Sequence, residues 1–176
     1  IPVLMTSFGS CKGRNYQQAV KGLTFPMYTM YELHSELQKS PRLGPEDIDN
    51  YKNTKQALFD GDTKKIETAI PALCALLYKH YGVMPYILLD EYDIPLLEAY
   101  TDGYWDEMIS TCRQLFHGAF TENEFYSRAI ITGVTRVSKN SLFSDMNNIE
   151  VHTVTSAAYQ ECCGFTEQEV SDALKC

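Results

Sequence analysis

The stretch PYILLDEYD, residues 85–93, decides the fold class. Its apolar residues run from 86 to 89 without alternation, as is typical of a parallel strand that is covered on both faces. Three carboxylates follow within four positions, on Asp90, Glu91 and Asp93. Ligands of open parallel sheets bind beyond the carboxyl ends of the strands, so these acids lie where a ligand is expected.

Strand and helix patterns alternate along the rest of the chain. Strands are expected at 2–8, 86–91 and 126–132, with a short one at 149–154. Helical apolar spacing is found at 15–38, where Pro26 should kink or split the helix, and also at 44–61, 64–81, 104–120 and from Thr166 onward. This alternation predicts an α/β fold: a three-layer core with a mostly parallel sheet, the first three strands as neighbours, and helices on both faces.

Composition narrows the class of protein. The chain has 176 residues, of which 44% are hydrophobic and 22% charged, which fits one globular domain. The net charge of −8 argues against direct nucleic-acid binding. No apolar run approaches the roughly 18 residues of a membrane span, which argues against a membrane partner. The six cysteines show no C-x-x-C pair and no framework spacing, so reduced thiols in a cytoplasm are expected.

Both ends of the sequence have the character of a cut. The chain starts directly at a strand-like segment without an initiator Met, and it stops inside a helical pattern. Thr166 and Glu169 have the spacing of a capping box, which usually introduces a longer helix. We therefore expect residues 1–176 to form a single domain that is truncated at both ends.

The acids after the central strand have a specific chemical interpretation. Four apolar residues followed by Asp-Glu is the form of the Walker B segment of nucleotide-hydrolysing proteins. Mg²⁺ keeps several waters and needs one or two carboxylates beside the substrate phosphates, a role that suits Asp90. Glu91 could then orient the attacking water. The alternative is structural: the acids solvate a turn, and Asp93 caps a helix that starts at Ile94-Pro95.

The motif that normally accompanies a Walker B segment is missing. The phosphate loop G-x-x-x-x-G-K-[ST] supplies backbone amides and a Lys to the phosphates, and this chain contains no Gly-Lys dipeptide. Either the chain does not bind nucleotide, or its phosphate loop lies before Ile1.

Longer motifs carry a resemblance to a known family. The segment ITGVTRVSKNSLFSDMNNI (131–149), together with YKHYG (78–82), LLDEYDIPLLEAY (88–100) and CGFTEQEV (163–170), resembles the predicted AAA-ATPase-like family of bacterial proteins. The resemblance implies a P-loop NTPase core of the AAA or STAND kind that uses Mg²⁺ and ATP. Its phosphate loop would lie upstream of this sequence. Many members carry a nuclease-like region further along the chain, so such a domain or a protein partner is implied as well.

The resemblance also implies roles for individual residues. Asp90 matches the metal-holding acid and Glu91 the catalytic acid. Thr132 matches the polar sensor position at the end of the next strand, and Arg136 matches a basic catalytic residue of the following loop. Asn147 matches a nucleotide-sensing position. Lys139 and Asn148 belong to the same loop, and the pair Cys162-Cys163 departs from the aromatic or apolar residues that the family carries there.

Three functions compete on these grounds. The first is part of an ATPase domain that hydrolyses Mg-ATP as a regulatory switch in a larger bacterial protein. The second is a degenerate interaction module with the same fold and no nucleotide turnover. The third is a nuclease, because Asp62-Thr63-Lys64 has the D-x-K form of some metal-dependent nucleases, although it lies at a helix start.

Overall fold

The structure is a computed structural model that describes residues 1–135, 142–143, 146, 149–153, 155–159 and 164–175. The chain divides into two compact units, residues 1–146 and residues 147–176. Each unit is described by itself.

A parallel sheet of three strands forms the centre of the first unit. The strands are β1 (Val3–Ser7), β2 (Tyr86–Asp90) and β3 (Arg128–Ile131), and they lie in the order β1-β2-β3. Both pairs are parallel, with Leu4 opposite Ile87 and Ile87 opposite Ala129. Parallel neighbours require long crossover connections, and helices supply both of them here. The predicted α/β class and the predicted strand pairing are therefore confirmed.

The two faces of this sheet differ in burial. On one face Leu4, Ile87 and Leu89 are at most 1% exposed. On the other face Met5 and Ile130 are each 60% exposed. The expected cover by helices is thus complete on one face only among the described residues. The apolar residues of the more open face explain why the strand pattern was continuous rather than alternating.

Six α-helices are described, five of them in the first unit. They are α1 (Tyr16–Leu33), α2 (Pro45–Asp60), α3 (Ile66–Tyr81), α4 (Ile94–Asp102), α5 (Trp105–Phe116) and, in the second unit, α6 (Glu167–Ala173). Short 3-10 turns occupy Ser35–Lys39 and Thr63–Lys65, and a π-helical turn occupies His117–Thr121.

The helix ends follow local chemistry that was visible in the sequence. Asn15 begins α1, and its side chain accepts a hydrogen bond from the Gln18 amide. Gly61 and Gly82 end α2 and α3 in the left-handed conformation that favours glycine. Pro26 was expected to kink or split the first helix, and α1 continues as one helix through this buried proline, so the split does not occur. Burial of neighbouring Leu23 and Met27 in the core keeps the helix in one piece.

The hydrophobic core lies between the buried sheet face and the helices. Two buried tyrosines join its helices through hydrogen bonds: Tyr51 donates to the Tyr31 carbonyl, and Tyr31 donates to the Ala69 carbonyl at 2.7 Å. Cys11, Cys74 and Cys112 are free and buried. Burial raises the pKa of Cys11 to about 12 and that of Cys74 to about 11, so these thiols stay protonated.

The second unit confirms one prediction and corrects another. Thr166 and Glu169 form the expected capping box at the start of α6. The strand predicted at 149–154 is wrong for its described part, because residues 149–153 have no strand structure. Instead the Thr153 amide donates to the Ser156 hydroxyl at 2.9 Å. Local side-chain bonds of this kind compete with strand pairing.

Candidate functional site

The three parallel strands end at one edge of the sheet and bring four polar side chains to it. Ser7 is the last residue of β1 and lies opposite Asp90, the last residue of β2. Glu91 follows β2, and Thr132 follows β3. These residues, Ser7, Asp90, Glu91 and Thr132, are called the strand-end cluster below.

Asp90 is fixed through one of its two carboxylate oxygens. Oδ1 accepts hydrogen bonds from the Thr132 hydroxyl and from the Glu91 amide, the latter at 2.9 Å. Oδ2 accepts no hydrogen bond from any described residue, and the side chain is exposed. Asp90 therefore presents one oriented, solvent-accessible oxygen beyond the sheet.

Glu91 has an unusual backbone and a defined side-chain partner. Its φ is 54°, in the left-handed backbone region that residues other than glycine seldom adopt. Its Oε2 accepts a hydrogen bond from the Ser7 hydroxyl at 2.6 Å, and Ser7 Oγ in turn accepts one from the Gly9 amide at 3.1 Å. The turn after β1 thereby holds the Glu91 carboxylate in place.

Gly9 makes this arrangement sterically possible. A Cβ at position 9 would lie 2.0 Å from Glu91 Oε2, far inside van der Waals contact. Any larger residue at this position would have to displace the carboxylate.

The donor set of the cluster suits a hard divalent cation. Its side chains offer two carboxylates and two hydroxyls, all oxygen donors. Mg²⁺ prefers oxygen ligands and keeps several of its waters, so one oriented carboxylate with nearby hydroxyls fits its requirements. The residues present are therefore compatible with the Mg²⁺ that the sequence implied.

Asp93 does not cap the helix that follows it. It occupies the position before α4, but its side chain makes no capping hydrogen bond. Instead Oδ2 accepts a hydrogen bond from the Thr135 amide, in the loop after β3. The predicted capping role of this side chain is therefore wrong: the Asp93 carboxylate joins two loops, and only its backbone carbonyl accepts hydrogen bonds from α4.

The structure brings together three of the five predicted site residues. Asp90, Glu91 and Thr132 meet at the sheet edge. Arg136 and Asn147 lie outside the described residues, as do Lys139, Asn148, Cys162 and Cys163.

Two residues at this edge of the sheet, Ser7 and Gly9, were missed from the sequence. Ser7 had a usable signal, because the ends of parallel strands share one edge and a hydroxyl ends the first strand. Gly9 had none, since its contact with Glu91 depends on how the turn folds.

The structure also bears on the nuclease interpretation. Asp62 Oδ1 accepts a hydrogen bond from the Lys64 amide at 2.9 Å, so Asp62 caps the turn before α3. The D-x-K segment is therefore part of a helix start and is not placed at a strand end.

Other features lie away from the strand ends. Glu67, His117 and Glu122 could together hold a metal ion by the spacing of their donor atoms, with His117 Nδ1 lying 3.8 Å from a Glu67 oxygen. Residues so far apart in sequence gave no motif. A cavity of about 440 Å³ is lined by Tyr100, Gly103, Trp105, Asp106 and Glu107 and does not include the cluster.

None of the helices in the described part of the chain has the length and hydrophobicity that crossing a membrane requires.

Comparison with known proteins places the chain in a family. Residues 1–143 match the family model AAA-ATPase_like, described as "Predicted AAA-ATPase". The chain is also 34% identical over 85 residues to a protein of Azotobacter chroococcum mcd 1 described as "Uncharacterized protein in vnfD 5'region". That match covers 48% of this chain and 16% of the relative. No solved structure matches the chain significantly. The chain, with most of its length matched by the family model, belongs to the predicted AAA-ATPase family.

Proposed function

We propose that this chain provides the metal-holding and sensor part of a site that binds and hydrolyses Mg-ATP. One observation carries the proposal: the hydroxyl of Thr132, after β3, donates a hydrogen bond to the carboxylate of Asp90, the last residue of β2. This bond joins an acid suited to Mg²⁺ and a polar group suited to a phosphate at the edge where parallel sheets bind ligands. Family membership supports nucleotide use in general.

Asp90 would hold the metal through its free oxygen. Its Oδ1 is occupied by Thr132 and by the Glu91 amide, which leaves Oδ2 directed to solvent. Bound Mg²⁺ would neutralise charge on the phosphates. A single oriented carboxylate suits a cation that retains water in its coordination shell.

Glu91 would position the water that attacks the phosphate. Its Oε2 is held by Ser7, while Oε1 accepts no hydrogen bond from any described residue. A carboxylate that is fixed by one oxygen and open at the other can accept a proton from a water at a defined place. The strained φ of Glu91 is consistent with a functional constraint, because strained residues cluster at functional sites.

The remaining roles rest on the family resemblance. Arg136 would stabilise charge on the transferred phosphoryl group, and Asn147 would sense the nucleotide. The phosphate loop and any nuclease-like domain or protein partner would come from other parts of a larger protein, in which hydrolysis acts as a regulatory switch in the cytoplasm.

Two substitutions separate the proposed roles of the acids. In the protein with its phosphate loop, Glu91→Gln should lower turnover by roughly 10²–10⁴-fold, as expected for loss of a positioned general base, and leave affinity for Mg-ATP nearly unchanged. Asp90→Asn should weaken Mg-ATP binding itself, because it removes charge from the metal site. Turnover and calorimetric binding on both variants make the test.

Asp49→Asn is the matched control. Asp49 is an exposed acid within α2, and its substitution should alter neither quantity. Full turnover in Glu91→Gln would remove its catalytic role. Absence of Mg-ATP binding by the wild-type protein would instead favour an interaction module with this fold.

A further inference from the structure

Asp93 is a buried carboxylate that the proposed reaction does not use. Its side chain is 0% exposed, and among the described residues its Oδ1 has no hydrogen-bond partner. A buried carboxylate with an unsatisfied oxygen costs free energy, so such a group in a folded protein calls for a reason. Its other oxygen, Oδ2, accepts a hydrogen bond from the Thr135 amide in the loop after β3.

Thr135 is held from both sides of its backbone by consecutive residues. Asp93 accepts the hydrogen bond of the Thr135 amide, and the Tyr92 hydroxyl donates to the Thr135 carbonyl at 3.0 Å. The Tyr92 amide also donates to the Thr132 carbonyl at 3.1 Å. Three hydrogen bonds therefore join the turn after β2 to the loop after β3.

Gly133 lies close to the side chains of both Tyr92 and Asp93. A Cβ at position 133 would lie 2.6 Å from Asp93 Oδ1 and 2.6 Å from Tyr92 Cε1. Only a residue without a side chain lets the loop approach these two residues. Thr132, Gly133 and Thr135 of this loop therefore all lie against Tyr92 or Asp93.

We propose that Tyr92 and Asp93 are positioning residues. Their two hydrogen bonds to the Thr135 backbone, called the Thr135 clamp, hold the Thr132 hydroxyl beside Asp90. Thr132 is three residues before Thr135, and its hydroxyl reaches Asp90 from the start of the same loop. The clamp couples the turn that carries the acids to the loop that carries the sensor hydroxyl. Its effect on turnover rests on the proposed function, whereas its effect on the loop does not.

Amide hydrogen exchange measured by NMR without nucleotide tests the clamp directly. Asp93→Ala should speed exchange of the Thr135 amide by roughly tenfold or more, because it removes the acceptor of that amide. Asp93→Asn should restore much of the protection, since an amide oxygen can accept the same bond. The Leu89 amide, in the central strand, should exchange as in the wild type and thus report that the sheet is intact.

Tyr92→Phe gives a second, gentler variant in case Asp93→Ala does not fold. It removes the hydroxyl and retains the ring, which packs 5.5 Å from the Phe143 ring centroid. Exchange at Thr135 should again rise. Tyr126→Phe is the matched control, because it removes a hydroxyl that donates to the Phe120 carbonyl at 3.1 Å, outside the clamp.

Turnover measurements then test whether the Thr135 clamp affects the proposed reaction. Asp93→Ala should lower kcat for Mg-ATP with little change in KM, and Asp93→Asn should recover most of the loss. Thr135 exchange that stays at the wild-type rate in folded Asp93→Ala and in Tyr92→Phe overturns the clamp, whatever the enzyme does. Faster exchange with unchanged turnover overturns its role in the reaction. A wild-type protein without turnover contradicts the proposed function, while the exchange data still decide the clamp.

Discussion

Single residues at the sheet edge carry most of the functional argument. Asp90 and Glu91 could be selected from the sequence because hydrophobic patterning places them at the end of a strand, whereas Thr132 was implied by the family resemblance. The φ of 54° at Glu91 and its bond to Ser7 could not be selected in that way, since both arise from the contact between two turns that lie 84 positions apart. Asp93 shows the same limit: its sequence position predicted a helix cap, and its real partner lies beyond the next strand.

The close contact at Gly9 leads to a prediction at this scale. Gly9→Ala should push the Glu91 carboxylate away from Ser7, because the new Cβ would lie 2.0 Å from Oε2. The obstructing atoms are at the end of a flexible side chain, so the loss of stability should stay within about 1 kcal/mol. If Glu91 positions the attacking water, turnover should nevertheless fall at least tenfold.

Gly44→Ala serves as the control for this change. A Cβ at position 44 would meet Asp47 at an ordinary 3.7 Å, and Gly44 has a negative φ that alanine tolerates. Unchanged turnover in Gly9→Ala, with stability also unchanged, would show that the position of the Glu91 carboxylate is irrelevant.

The described helices and strands follow their sequence signals closely, with one exception in each unit that packing explains. Gly44-Pro45 predicted the start of α2, and glycine stops predicted the ends of α2 and α3. Pro26 did not split α1, because the buried face of that helix continues through it. The predicted strand at 149–154 had suitable residue types, but a strand also needs a partner, and no residue pattern guarantees one.

The contacts of the Asp47 carboxylate at the start of α2 lead to a prediction about the stability of this helix. Asp47 Oδ2 accepts a hydrogen bond from the Gly44 amide at 2.8 Å. It also forms an ion pair with Lys79 of α3. Asp47→Ala should lower the free energy of unfolding by about 1 kcal/mol, the usual cost of losing a helix cap. Denaturant unfolding checks this. Glu46→Ala, in the same first turn and exposed, should cost less.

The effect of Asp47 should depend on pH. Hydrogen bonds from Lys79 and from the Gly44 backbone lower the pKa of Asp47 below its ordinary value of 3.8. The stabilisation is therefore complete above that value and is lost as the pH falls toward the folded-state pKa. The difference between wild type and Asp47→Ala should shrink over that range. A difference that stayed constant down to full protonation would contradict the role of the carboxylate.

In the molecule as a whole, the parallel sheet brings residues that are far apart in the sequence into one cluster. The strand order β1-β2-β3 places the ends of all three strands at one edge, so residues from positions 7, 90 and 132 become neighbours. The sequence predicted that the three strands are parallel neighbours, because helices separate them along the chain, but it did not predict their order. It did not predict the unequal faces of the sheet, since burial of a strand depends on what packs against it.

The proposed function requires a divalent cation and a nucleotide to bind at the strand-end cluster. Mn²⁺ can replace Mg²⁺ in such sites, and its unpaired electrons broaden the NMR signals of nearby amides. Adding Mn-ATP to the protein with its phosphate loop should broaden the amides of Asp90, Glu91 and Thr132 most strongly and those of α2 least. Broadening centred on Glu67, His117 and Glu122, or none beyond that of free Mn²⁺, would contradict the account.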